Sequence, residues 1–193
     1  MSYDLKNVFF LDVSATVTAS TGGATTAQLD LSAYIDPIAR GRTKGTGLAI
    51  YRCQYNMSGS STGGEAIAIA EDGILRAGIV AGAGLGNNAT GVVTPTAAQQ
   101  PASQNALAVH GFDFYGPKAN TTNTAMSSPT GAGVTYLSPT KEVPYVVVRD
   151  NVCLVIEMKA DANANITVGY RLECAQVSLD QATLNQLLRT QTV

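Results

Sequence analysis

The chain has 193 residues, a length that suits one domain whose core can hold the fold without a disulfide or metal staple. Charged residues make up 13% of it, about half of the ~25% usual in soluble domains, while the hydrophobic share of 45% is ordinary. A net charge of −2 with no basic tail argues against a protein that packages nucleic acid by neutralising phosphates.

Solvent-facing positions must then be filled mainly by Gly, Ala, Ser, Thr, Asn and Gln, a surface that loses little hydration energy when a neighbour covers it. The apolar run Val8–Leu11 is too short for a signal peptide and is closed by Asp12. No apolar stretch approaches the ~20 residues that span a bilayer. Cys53, Cys153 and Cys174 have neither disulfide-framework nor zinc spacing, so they read as small buried hydrophobes of a protein made in a reducing cytoplasm.

Apolar residues come in short runs or alternate with period two, the strand signature. In chain order the candidate strands are Val8–Thr18, Ala27–Ile35, Gly47–Met57, Glu65–Ala70, Ile74–Val80, Ala106–Tyr115, Val143–Val148, Val152–Met158 and Asn165–Val177. Glu71, Asp72 and Gly73 suit a short hairpin, and Arg149–Asn151 suits another. With a turn at Asp161–Asn165, the last three strands are expected to form an antiparallel meander. The clearest alternation puts Ile166, Val168, Tyr170, Leu172 and Cys174 on one face and Thr167, Gly169, Arg171 and Glu173 on the other. Ser178 and Gln181 suggest a capping box opening a helix over about 178–190, whose stripe Leu184, Leu187 and Leu188 would dock on its own domain or a neighbour.

Two long connections, about 81–105 and 116–142, are nearly free of charge. Loops of that length usually bind something or are disordered, and since disorder favours charge and Pro, Leu85, Val92, Val93, Met126, Val134 and Tyr136 are candidate intersubunit contacts. Arg40, Arg42 and Lys44 form a dense basic cluster that would either touch an anionic surface or be a solvated turn after Asp36 and Pro37.

Catalysis has little support. The single histidine, His110, shares a strand face with Phe112 and Phe114, and no G-x-S-x-G elbow, H-E-x-x-H or Cys-His cluster occurs. Gly82, Gly84 and Gly86 lack the spacing and the following helix of a dinucleotide fingerprint. The scattered carboxylates have no calcium-loop register, and four N-x-[ST] matches, at Asn56, Asn88, Asn120 and Asn165, are expected by chance in so Asn-, Ser- and Thr-rich a chain. No catalytic residue, metal site or cofactor is expected.

Eight to nine antiparallel strands, two long low-charge loops and a docking helix resemble the single jelly-roll capsid proteins of tailless icosahedral viruses. The resemblance covers about Val8 to Val177 and rests on strand order and loop style. It implies an all-β, antiparallel β-sandwich, a single jelly roll of eight to nine strands with a short C-terminal helix. It also implies a shell subunit of the virion that self-assembles into capsomers with copies of itself, alone or beside a second capsid protein. Many small RNA-virus coats begin with a basic arm, whereas Met1–Asp12 carries only Lys6 as a cation. The implied subgroup therefore leaves genome packaging to other proteins or encloses the genome in an internal membrane that the shell touches. The alternatives are a phage tail, fibre or decoration protein of fixed small oligomer, and a carbohydrate-binding β-sandwich module, which would need an exposed aromatic platform.

Overall fold

Period-two alternation lets an extended segment bury one side and wet the other, and the last strand obeys it: Ile166, Val168, Tyr170, Leu172 and Cys174 are all buried while Arg171 faces out. The computed structural model describes residues 7–18, 24–36, 44–59, 74–81, 108–115, 132–159 and 165–191. These contain β1 (Phe9–Val17), β2 (Ala24–Asp30), β3 (Lys44–Gly59), β4 (Ile74–Ala81), β5 (Ala108–Tyr115), β6 (Ala132–Leu137), β7 (Tyr145–Val147), β8 (Asn151–Lys159), β9 (Ile166–Asp180) and α1 (Gln181–Thr190).

The strands form two antiparallel sheets, a four-stranded one ordered β1-β9-β3-β7 and a five-stranded one ordered β2-β8-β4-β5-β6. Leaving β6 aside, the first, eighth, third and sixth strands make one sheet and the second, seventh, fourth and fifth make the other. This interleaving is that of a jelly roll, in which the chain crosses between layers at most of its turns. The fold is therefore the all-β sandwich expected from the sequence. Leu48 and Ile50 of β3, Leu75 and Ile79 of β4, Leu154 and Ile156 of β8 and the inner row of β9 fill the space between the layers.

Several local expectations give way to this topology. The last three strands are not a meander, because β7 pairs with β3, β8 with β2 and β4, and β9 with β1 and β3. Arg149–Asn151 accordingly passes between layers, where the carbonyl of Asp150 accepts from the Leu31 N–H at 2.6 Å. The second strand stops at Asp30 because its carboxylate accepts from the Ser32 N–H at 2.8 Å, and Tyr34 and Ile35 then donate back to the Leu31 carbonyl. Leu31 and Ile35 are still buried, so the apolar pattern marked core correctly and conformation wrongly. Val134 and Tyr136 lie in β6, paired with β5, where an intersubunit loop was expected. The expected strand Glu65–Ala70 and the turn at Glu71–Gly73 fall outside the described residues.

The helix begins later than the expected box. Ser178 is still in the ladder opposite Thr46, and Asp180 is the N-cap, accepting from the Thr183 N–H at 2.8 Å. Gln181 instead bonds Asn185 along the helix surface. Leu184 is fully buried against Gly45, whose missing side chain makes the socket: a Cβ there would meet Leu184 Cδ2 at 2.8 Å. Leu187 and Leu188 are half-buried, so the stripe docks on its own domain through Leu184.

Past the helix, Gln191 closes the sheet edge. Its side-chain Oε1 accepts from the Val148 N–H at 3.1 Å and its Nε2 donates to the Val146 carbonyl at 2.7 Å. Those two groups flank Val147, so the amide takes the place of one residue of a parallel strand added to β7. Arg149 holds the Gln191 carbonyl through its Nε at 2.8 Å. Truncating Leu184→Ala should cost roughly 2–5 kcal/mol through the cavity left behind. Removing the amide in Gln191→Ala should cost about 1–3 kcal/mol through two unpaired backbone groups. Urea denaturation checks both, and an unchanged midpoint in either variant would show that its contact contributes nothing.

Candidate functional site

The outer face of the four-stranded sheet is open over most of its length and carries four aligned rows. Strand register puts Thr16, Thr167 and Ser58 in one row, Ser14, Gly169 and Asn56 in the next, Asp12, Arg171 and Gln54 in the third, and Phe10, Glu173 and Arg52 in the fourth. Gly169 leaves the centre without a side chain, and an open depression results, walled by Asp12, Ser14, Gln54, Asn56 and Arg171. A Cβ on Gly169 would lie 2.5 Å from the Asn56 Oδ1, so the amide rests across the floor.

Electrostatically this face is balanced. Arg171 binds Asp12 through two bonds, Nε to Oδ1 at 2.8 Å and Nη2 to Oδ2 at 3.0 Å. These bonds hold the Asp12 carboxyl below its ordinary range and push Arg171 up. The same guanidinium lies 5.9 Å from the centre of the Phe10 ring, which remains 57% exposed. The hydroxyls of Thr16 and Thr167 bond each other at 2.8 Å, and Lys141 reaches Glu173 at 3.8 Å. Nearer β7 the face changes character, and Ala49, Tyr51 and Ala175 are buried with Val8, Val146 and Val177 packed against them.

The five-stranded sheet differs on its outer side, since Val80, Cys153 and Val155 are buried there as well as the core row. Asp113, also buried on that side, accepts from Arg76 Nε at 2.8 Å.

Between the layers sits an aromatic group containing the chain's single histidine. His110 is 2% exposed, its Nδ1 is 3.0 Å from the Tyr170 hydroxyl, and that hydroxyl donates to the Ala77 carbonyl at 3.5 Å. Tyr55 stacks on Phe112 at 4.0 Å and packs beside both His110 and Tyr170. Burial pushes the imidazole down to about 4 and the Tyr170 hydroxyl well up. A neutral imidazole with Nδ1–H donating to Tyr170 satisfies this geometry. The aromatic rings pack together, and the Tyr170 hydroxyl bonds both His110 and the Ala77 carbonyl of the facing sheet.

The other expected residues are dispersed. Lys44 opens β3 on the surface opposite Asp180, and its charge helps the Thr183 bonds hold that carboxyl below its ordinary range. Arg40 and Arg42 lie outside the described residues, as do Leu85, Val92, Val93 and Met126. Cys53, Cys153 and Cys174 are free and buried, and burial lifts the thiols of Cys53 and Cys174 to about 12. Among the described residues, no three His, Cys, Asp or Glu side chains are grouped to hold a metal ion. No helix there is long and apolar enough to cross a membrane. Sequence reading did not single out Ser14, Gln54 or the Asp12–Arg171 pair, and it named Asn56 only as a chance N-x-[ST] match. The alternation around Gly169 marked the wet face, but its cross-strand neighbours are more than a hundred residues away.

No family model and no curated protein matches the chain. Among solved structures, one described as the infectious bursal disease virus Gt strain is similar at 14% identity and a TM-score of 0.21. The match covers 88% of this chain, which spans 32% of that one. At that similarity neither fold nor function is carried over from it.

Lowered titration of a buried histidine makes stability fall with acid. With an ordinary value near 6.5 when unfolded and about 4 when folded, the unfolded chain binds the proton first as pH drops. The neutral-state stability is complete above about 6.5 and declines between 6.5 and 4, by roughly 3 kcal/mol at one proton per step. Asp12, Asp30 and Asp180, all lowered below 3.8, lose their contributions only at lower pH. His110→Phe, which leaves the Tyr170–Ala77 bond in place, should flatten the decline between 6.5 and 4 in urea titrations. An equal decline in variant and parent would assign the loss to another group.

Proposed function

We propose that this chain is a structural, non-catalytic subunit of a virus shell, assembling with copies of itself into capsomers of the virion. The observation that carries the reading is the interleaved order β1-β9-β3-β7 over β2-β8-β4-β5-β6, the arrangement that the resemblance to single jelly-roll capsid proteins implies. Fold by itself does not select a role, so surface chemistry supplies the second support. With charged residues at 13%, contact faces give up little hydration, and weak repeated contacts sum over a closed array.

Closure also requires that strand edges not pair without limit. The β7 edge, one of the four edges of the described sheets, is occupied by the Gln191 amide and so is withdrawn from pairing with a neighbour. A shell protein of net charge −2 would leave the genome to other components, and a second coat protein or an internal membrane are the partners that fit. Its place would be the virion, after synthesis in the host cytoplasm.

Sedimentation velocity and negative-stain imaging of the purified chain over a range of concentration and salt test the reading. Rings or closed particles are the expected result. A fixed trimer at every condition would favour a tail, fibre or decoration protein, and a persistent monomer would rule out self-assembly.

A further inference from the structure

The depression around Gly169 has a chemistry that shell building does not use. Three of its walls offer hydrogen-bonding groups from short, planar or hydroxyl-bearing side chains, namely Ser14, Gln54 and Asn56, all exposed. The fourth is the exposed Asp12–Arg171 pair, whose two bonds orient the carboxylate and the guanidinium towards each other. Ser14 and Asn56 are one strand away from Gly169 on either side, a span of about 9–10 Å whose floor is the Gly169 backbone with the Asn56 amide resting across it. Phe10 lies at one end with its ring 57% exposed beside Arg171.

We propose that this face binds a neutral saccharide. Sugar hydroxyls both donate and accept, and the side-chain amides and serine hydroxyl here do the same, while the carboxylate adds acceptors and the guanidinium donors. Aliphatic ring faces of sugars pack on exposed aromatic rings, which is the place of Phe10. Charge selects among saccharides: the Asp12 and Arg171 charges cancel, so the depression holds no surplus cation for a sialic acid or sulfate group. A second copy of this chain is the rival occupant, but the exposed donors and acceptors around an open depression, with the Asn56 amide across its floor, suit a small hydroxylated ligand better than a flat protein face. The inference is independent of the shell reading, since a saccharide-binding sandwich need not assemble and a shell need not bind sugar.

The test is binding of the full chain to an immobilised panel of neutral and sialylated or sulfated oligosaccharides, followed by saturation-transfer NMR on the neutral ones retained. Retention of neutral members is expected, with binding weakened about tenfold or more in Gln54→Ala/Asn56→Ala, a surface change that leaves the core intact. Gly169→Ser, which fills the floor, should weaken it similarly while far-ultraviolet circular dichroism stays that of the parent. Retention of no neutral saccharide, retention confined to anionic ones, or binding indifferent to these substitutions would each overturn the proposal. A changed oligomer size in the double variant with unchanged sugar binding would assign the face to contact between copies instead.

Discussion

Strand β9 is the constraint on which the molecule depends. It pairs with β1 along nine residues and with β3 along most of its own length, so it joins the beginning of the described chain to its end in one sheet. Its inner row supplies Ile166, Val168, Tyr170, Leu172 and Cys174 to the core, and its outer row supplies Gly169 and Arg171 to the open face. Because each pairing spans more than a hundred residues of chain, loop-closure entropy has to be met before the contacts form. Such topologies fold slowly.

That same strand hands over to α1, and the helix carries Gln191 back to β7. Leu184 in the Gly45 socket fixes where the helix lies, and this places the amide within reach of the β7 backbone. A free edge is a template for indefinite pairing, and the side-chain amide removes that template at β7. The core histidine is a separate matter. The Tyr170 hydroxyl links the two layers by bonding both His110 and the Ala77 carbonyl amid packed aromatics, which joins core integrity to the imidazole's charge state.

The two outer faces divide the labour. The five-stranded sheet is covered at Val80, Cys153 and Val155, whereas the four-stranded sheet presents rows of small polar groups around Gly169. A shell subunit with a sugar-binding face would combine self-association with attachment to a glycosylated surface.

Much of the architecture was legible in the residues. Alternation located eight of the described strands, though the second lies three residues earlier at its start and ends at Asp30, and the apolar stripe located the helix. Short β6 escaped notice because Gly133 interrupts a brief apolar pattern bounded by Gly131 and Pro139, which reads as loop. What local pattern cannot contain is which strands lie side by side. Period two states that a segment has a wet and a dry face, a property of its own side chains, whereas pairing depends on groups far apart in the chain. So the sequence by itself determined most of the strand content, the core rows and the low share of charge. Only the tertiary structure decided that Arg149–Asn151 crosses layers, that Asp12 meets Arg171, and that Gln191 closes the β7 edge, because each is a long-range contact chosen by packing of the whole.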